Sequence, residues 1–506
     1  MKNFKIKAGF FLACLAIGLP GYALGEKEEP QENHVLLPDM MKQKSDLTVF
    51  TKLLQETGWA DSLMLVKDES YVPVQNPPLT SPLGFEKSGF VPQERPFAFT
   101  VFAESDSVFS SMGITDAASL TAYLQEHYAD DAAFSGLIYD DQYTRENHAA
   151  NRFVAYHLLA QKLNPQQLVY HYNEIDFELW DFLNTGEAKA TAPIYDYYTT
   201  MGTSRRLIKL YESKDSEGVR INRFVTYDPD LYREGEVLLK GLSVSKERMY
   251  EALNGNVYLL KDMLLYDDQL VEKGYAQERL RFDVASLSPE LMNLGYRRLL
   301  TDIPDKAFYM EPDYLEKIKV LAGDLYYLTG FQSGWSDYQG DEYLLVAQDG
   351  QLDIILELPP VAVAGTYQLR LALSGNPSRS VVQYYVGEGN ALAPAGLPVD
   401  ERTSYMDGYL SYGRGATTFV NEDLVISQGG HMRAPGVYGD NYSSGIMNYT
   451  PCGRRIVGNF YMDPAKKYYF RIKSAGDLGK AQLFLDYLEL VPSTVFNHPS
   501  KTEDCW

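Results

Sequence analysis

Cysteine is nearly absent from this chain, with three in 506 residues at Cys14, Cys452 and Cys505, and no Cys-x-x-Cys pair among them. That excludes a disulfide-dense scaffold and a cysteine-held zinc or iron–sulfur centre. Histidine is scarce as well, seven in all, and none falls in a His-Glu-x-x-His helix. No Gly-x-Ser-x-Gly elbow, Walker loop or dinucleotide glycine loop occurs either, so the standard signatures of acyl, phosphoryl and hydride chemistry are missing. The paired carboxylates of a glycosidase need no local motif and stay open. Basic charge is outweighed: 46 Lys plus Arg stand against 68 Asp plus Glu, a net charge of −22. With no basic block to release counterions from a phosphate backbone, nucleic acid is not an expected partner.

What the chain does have is bulk and tyrosine. At 45% hydrophobic and 23% charged it carries enough apolar surface for real cores, and 506 residues correspond to about three domains, or two large ones with tails. Its 39 tyrosines suit contact surfaces for protein or carbohydrate, and equally suit aromatic-rich β-sheets.

Lys2, Lys5 and Lys7 precede an apolar run from Ala8 to Leu19, followed by Pro20, Gly21 and the small-residue stretch Ala23-Leu24-Gly25. This predicts a secretory signal peptide over residues 1–25, because the run is shorter than the roughly 20 residues that span a bilayer. Phe11-Leu12-Ala13-Cys14 also resembles a bacterial lipoprotein box, which would lipidate Cys14, although the apolar run continues past it. With the leader removed, Cys452 and Cys505 are an even pair in an oxidising compartment. A disulfide between them would contribute about 4 kcal/mol by chain entropy and tie down the tail at 495–506, with two free thiols as the alternative.

Residues 26–45 read as a polar linker. From Asp46 an amphipathic helix is expected, with Phe50, Leu53, Leu54 and Trp59 on one stripe and a stop near Gly58. Residues 72–96 hold six prolines and read as a loop, Phe97–Ala103 as a buried strand, and Glu104 to Phe109 as a capped helix start. A second helical stripe runs from Asn151 to Leu163, and short strands follow at Arg206–Leu210 and Val219–Phe224. Asn254-Gly255 is predicted to turn into the strand Asn256–Leu260, glycine supplying a positive φ.

The helix at Leu47–Trp59, the run Phe99-Thr100-Val101-Phe102-Ala103-Glu104-Ser105-Asp106, the run Tyr156-His157-Leu158-Leu159 and the run Asn254-Gly255-Asn256-Val257-Tyr258 ending in Leu264 resemble, in order and kind, the motifs of fasciclin (FAS1) domains. The resemblance covers residues 46–272 and implies an α+β module used for adhesion or extracellular binding. Family domains are smaller, so the segments around 68–95, 128–148 and 170–200 look like insertions, and no adhesion residues are carried over. From 273 to 494 the pattern is all-β, with short alternating strands and turn signals that indicate a sandwich. Its order of strand, Leu358-Pro359-Pro360, Ala364-Gly365-Thr366-Tyr367, strand, and a final Phe484-Leu485-Asp486-Tyr487-Leu488-Glu489-Leu490 looks like a galactose-binding-like jelly roll of carbohydrate-binding modules. The expected fold class is therefore multidomain, an α+β fasciclin-like domain followed by an all-β jelly-roll-like sandwich. The pairing resembles fasciclin proteins of Gram-negative bacteria that accompany outer-membrane glycan-uptake systems.

No catalytic residue is expected. His157 reads as a core histidine bonded to backbone or carboxylate, and Asp106 as a helix cap or a partner in that core. Tyr405, Tyr409, Tyr412 and Arg414, with Tyr438 and Tyr442, lie in Gly/Asn-rich loops that could stack sugar rings and bond hydroxyls, or else pack loops onto the sandwich. Near Trp335, Asp337, Asp341 and Glu342 offer hard oxygen ligands for a structural calcium, with a solvated acidic turn as the plainer account. The function expected is an exported, non-enzymatic cell-envelope protein, at the outer-membrane surface or secreted. Its partner would be polysaccharide or oligosaccharide, with outer-membrane proteins beside it. Structural adhesion without glycan recognition and glycoside processing are the alternatives.

Overall fold

The computed structural model describes residues 35–75, 91–129, 134, 136–165, 168–169, 194–228, 233–298, 306–329, 341–347, 350–374, 379–402, 430–433, 452–476 and 482–499. Within them the chain is β-rich, with six sheets and short helices. No helix among the described residues is long and apolar enough to cross a membrane.

The stripe after Asp46 forms the helix Thr48–Glu56, burying Phe50, Leu53 and Leu54 at positions i, i+3 and i+4. Burying each such side chain contributes about 1.5–3 kcal/mol. Gly58, at φ 81°, ends the helix. Trp59 lies past the end of this helix, opening a separate turn, Trp59–Ser62, and packs half-buried against the same core. The helix has no cap of its own. Asp106 Oδ2 and Oδ1 accept the Thr48 and Val49 amides at 3.1 and 2.9 Å, so a residue far along the chain satisfies donors that the helix leaves open.

Part of the linker expected at 26–45 needs correction. Leu37–Lys42 is a helix, with Leu37, Met40 and Met41 buried. Asn254 Oδ1 accepts the Leu37 amide at 2.9 Å, which brings this helix onto the first sheet.

That sheet runs Leu158–Leu159, Phe99–Glu104, Gly255–Leu260, Met249–Ala252. Its two central strands are parallel and buried at every position, as strands covered on both faces must be. The second stripe is helical only over Ala149–Tyr156, because Leu158 and Leu159 leave it to pair with Val101 and Thr100. Gly255 does not take a positive φ. Glycine is needed there because a Cβ would come within 2.6 Å of the Phe99 carbonyl. Next, Ile194–Thr199 and Leu207–Glu212 form a hairpin whose connecting loop carries Gly202 at φ 85° and Arg205 at φ 44°.

In the C-terminal part, Leu280–Asp283, Tyr487–Pro492, Gly365–Ser374, Cys452–Met462 and His431–Arg433 make one antiparallel sheet. A second contains Ile318–Ala322, Asp353–Glu357, Tyr468–Ser474, Val381–Glu388 and Ala391–Pro394. Alternation along Val381–Glu388 buries Val382, Tyr384 and Val386. These residues share one core with Leu369, Leu371, Leu488 and Leu490 of the first sheet. A further sheet joins Lys306–Met310, Asp324–Thr329, Asp341–Val346 and Gln482–Leu485. The all-β expectation for 273–494 misses two short helices, Val284–Leu287 and Pro289–Asn293. They lie at the junction of the two parts, where Gln161 Nε2 donates to the Ser286 carbonyl at 3.1 Å and Asn293 Nδ2 to the Ala160 carbonyl at 3.1 Å. Arg297 meets Asp196 at 2.9 Å in the same seam, both buried.

Candidate functional site

The junction opens into a cleft of about 430 Å³, within the range of small-molecule sites. One wall is Trp59, Asn151, Arg152 and Ala155, presented by the turn after Gly58 and by the helix Ala149–Tyr156. The hairpin loop from Met201 to Arg205 packs against this wall and lines the cleft beside it. The sandwich closes the floor with Glu357, Leu358, Pro359 and Pro360, flanked by Lys317 and Lys467.

The local structure explains how these groups are presented. Trp59 Nε1 donates to Asn151 Oδ1 at 3.2 Å, and Asn151 Nδ2 donates to the Thr57 carbonyl at 3.0 Å, fixing the indole. Gly202 lies so close that a Cβ would sit 3.3 Å from Trp59 Cζ2 and 3.1 Å from Ala155 Cβ. Arg205 holds a left-handed backbone that costs a non-glycine residue about 1–2 kcal/mol. It is secured from the other side of the cleft: its Nη1 lies 3.4 Å from Glu357 Oε1, and its Nη2 donates to the Leu358 carbonyl at 3.4 Å. Glu357 Oε2 in turn meets Lys467 Nζ at 3.6 Å and accepts from Tyr469 Oη at 3.4 Å. The Thr203 and Ser204 hydroxyls have no hydrogen-bond partner among the described residues. Burial pushes Arg152, Arg205 and Lys317 below their ordinary pKa ranges.

Such a lining combines an indole face, a proline floor, hydroxyls and charged donors. It can stack a ring while bonding its polar rim. No histidine or cysteine among the described residues lines the cleft.

The expected ligand-binding residues Tyr405, Tyr409, Tyr412, Arg414, Tyr438 and Tyr442 lie outside the described residues, as do Cys14 and Cys505. Cys452 begins the strand Cys452–Met462, and its side chain is outside the description. Of the calcium set, Asp337 is outside it, while Asp341 and Glu342 begin the strand Asp341–Val346. No group of three His, Cys, Asp or Glu among the described residues could hold a metal ion. His157 sits in the core, its Nε2 2.9 Å from Glu104 Oε1 and its Nδ1 2.7 Å from the Phe153 carbonyl.

The residues of the cleft escaped the sequence reading because they come from seven separate segments. Two signals were available: the Gly-Thr-Ser-Arg-Arg loop between tyrosine-rich strands, and a tryptophan directly after a helix-stopping glycine.

No family model and no curated protein matches this chain. Among solved structures it is similar to the insecticidal crystal protein CRY2AA (10% identity, TM-score 0.18, 37% of this chain and 22% of that one). A Paenibacillus xanthan lyase is matched at 10% identity and TM-score 0.21, over 59% of this chain and 23% of the lyase. An exo-β-1,3-galactanase from Phanerochaete chrysosporium is matched at 10% identity and TM-score 0.18, over 58% and 68%. The chain spans less than a quarter of the first two. Likenesses this distant carry no argument about what the protein does.

Proposed function

We propose that this chain is an exported, non-enzymatic binding protein of the cell envelope. In this reading a fasciclin-like module and a jelly-roll-like sandwich jointly hold a segment of polysaccharide in the cleft between them. The cleft carries the reading: a fixed indole and two prolines line it together with the unpartnered hydroxyls of Thr203 and Ser204. The parallel pairing of Phe99–Glu104 with Gly255–Leu260 and the long-range cap by Asp106 support the fasciclin-like assignment, since both join segments that carry the sequence resemblance.

The test is calorimetry and affinity electrophoresis of the purified protein against plant, host and microbial polysaccharides. Retardation that Trp59→Ala abolishes is expected. No retardation across the panel would move the reading to adhesion through protein partners. One observation favours that second reading: Leu65, Val66, Val72 and Val74 are 50%, 40%, 74% and 43% exposed along one segment.

A further inference from the structure

We infer that the cleft takes an anionic saccharide, whose carboxylate or sulfate group is held between Arg152 and Lys317. This rests on the glycan reading above and specifies the class of glycan.

The argument is one of charge assignment. The cleft is lined by four cations, Arg152, Arg205, Lys317 and Lys467, and three carboxylates, Glu146, Glu316 and Glu357. This is a local surplus of positive charge in a chain of net charge −22. Glu357 is already engaged by Arg205, Lys467 and Tyr469. Glu146 and Glu316 stand exposed at the rim. Arg152 and Lys317 therefore remain without an ion pair among the described residues. Arg152 spends only its Nε, on the Glu146 carbonyl at 3.3 Å, which leaves both Nη groups for a ligand.

Both cations are partly withdrawn from water, and burial is the first cause acting against their charge. Glu146 offsets it in part for Arg152, and Glu290, Glu357 and Glu316 do so for Lys317, all from beyond ion-pair distance. A cation desolvated without a partner is unfavourable, and an entering anion relieves that cost through charge-assisted hydrogen bonds. A guanidinium fork and an ammonium lining one cleft suit a carboxylate or sulfate. Trp59 and the Thr203 and Ser204 hydroxyls are placed for the neutral remainder of the sugar. A neutral glycan would leave both cations as they are.

The experiment is calorimetry of the full chain with uronate oligosaccharides from pectin, alginate and hyaluronan, each beside its carboxyl-reduced counterpart, together with sulfated carrageenan oligosaccharides. At least one acidic oligosaccharide is expected to bind tenfold or more tighter than its reduced form. Lys317→Gln and Arg152→Gln should each weaken acid binding about tenfold, leave binding of the reduced form unchanged, and not lower Tm; Lys317→Arg should restore binding. Preference for uronate or for carrageenan identifies the anionic group. Equal binding of acidic and reduced forms, or acid binding indifferent to both substitutions, would overturn the anionic assignment while leaving the glycan reading standing. Failure of every oligosaccharide to bind would sink both.

Discussion

His157 and Glu104 face each other at 2.9 Å across the first sheet, and neither side chain is exposed. Glu104 Oε1 also accepts the Leu264 amide at 2.8 Å, while His157 Nδ1 reaches the Phe153 carbonyl. The pair thus ties the end of a helix to a strand and to the segment leaving the parallel partner strand. Leaving a buried hydrogen-bonding partner unsatisfied costs about 1–3 kcal/mol, so His157→Ala and Glu104→Ala should each lose at least that much in urea denaturation. Glu104→Gln should lose less, since the amide oxygen still accepts from Leu264 and no void opens. Equal losses for Gln and Ala would refute that partition.

Gly255→Ala should destabilise far more than Gly113→Ala. At Gly255 the new methyl meets the Phe99 carbonyl at 2.6 Å and Leu37 Cδ1 at 2.3 Å, and backbone yields only by parting the parallel strands. Overpacking of this kind costs about 1–3 kcal/mol or more. Gly113, at φ 71° with open space around it, costs only the about 1–2 kcal/mol of a left-handed residue. Thermal melts of the two variants decide it.

Stability should fall as pH drops below 6.5, and His431 is the predicted source. Burial, reinforced by Arg455, pushes its pKa down to about 3 from 6.5. Between those values the unfolded chain binds the proton and the folded one does not, so stability is full above pH 6.5 and lost toward pH 3, by up to ~1.4 kcal/mol per pH unit. His431→Leu should flatten the profile between pH 6.5 and 4.5. An unchanged slope in urea midpoints would assign it to another group.

Below pH 4.5 a second loss should begin. Burial would raise the Glu489 carboxyl, but Arg454, Arg279, Arg281 and Arg370 overcome it and hold the group well below the usual carboxylate range. Its stabilisation is present above the unfolded value of 4.5 and disappears as pH falls below it. Glu489→Gln removes the anion from buried guanidiniums at 2.9 and 3.1 Å, and should cost about 3–5 kcal/mol at neutral pH. Near-neutral stability in that variant would show that other acids hold the arginines.

Periodicity made much of the fold legible. Phe50, Leu53 and Leu54 and the buried run at Phe99–Ala103 each have the expected form. Local pattern failed where a distant contact decides. The helix Leu37–Lys42 exists because Asn254 and the core receive it. Leu158 and Leu159 leave a helical stripe because Thr100 and Val101 offer strand partners. Gly255 is glycine for a neighbouring strand and not for its own φ. The cleft was illegible for the same reason: Trp59, Arg205, Lys317 and Glu357 meet only after the two parts of the chain have met.

The strand Tyr487–Pro492 lies inside its sheet, between Leu280–Asp283 and Gly365–Ser374, while the adjacent Gln482–Leu485 completes a different sheet. Two sheets therefore wait on one late stretch of polypeptide. A nascent chain emerging N-terminus first carries Leu280–Asp283 and Asp341–Val346 as open edges until residues 482–492 have been made, and closing such distant pairings is slow. This half cannot close before residue 482 has emerged, and a ribosome that stops short of it releases a chain with templates for aggregation on both sheets.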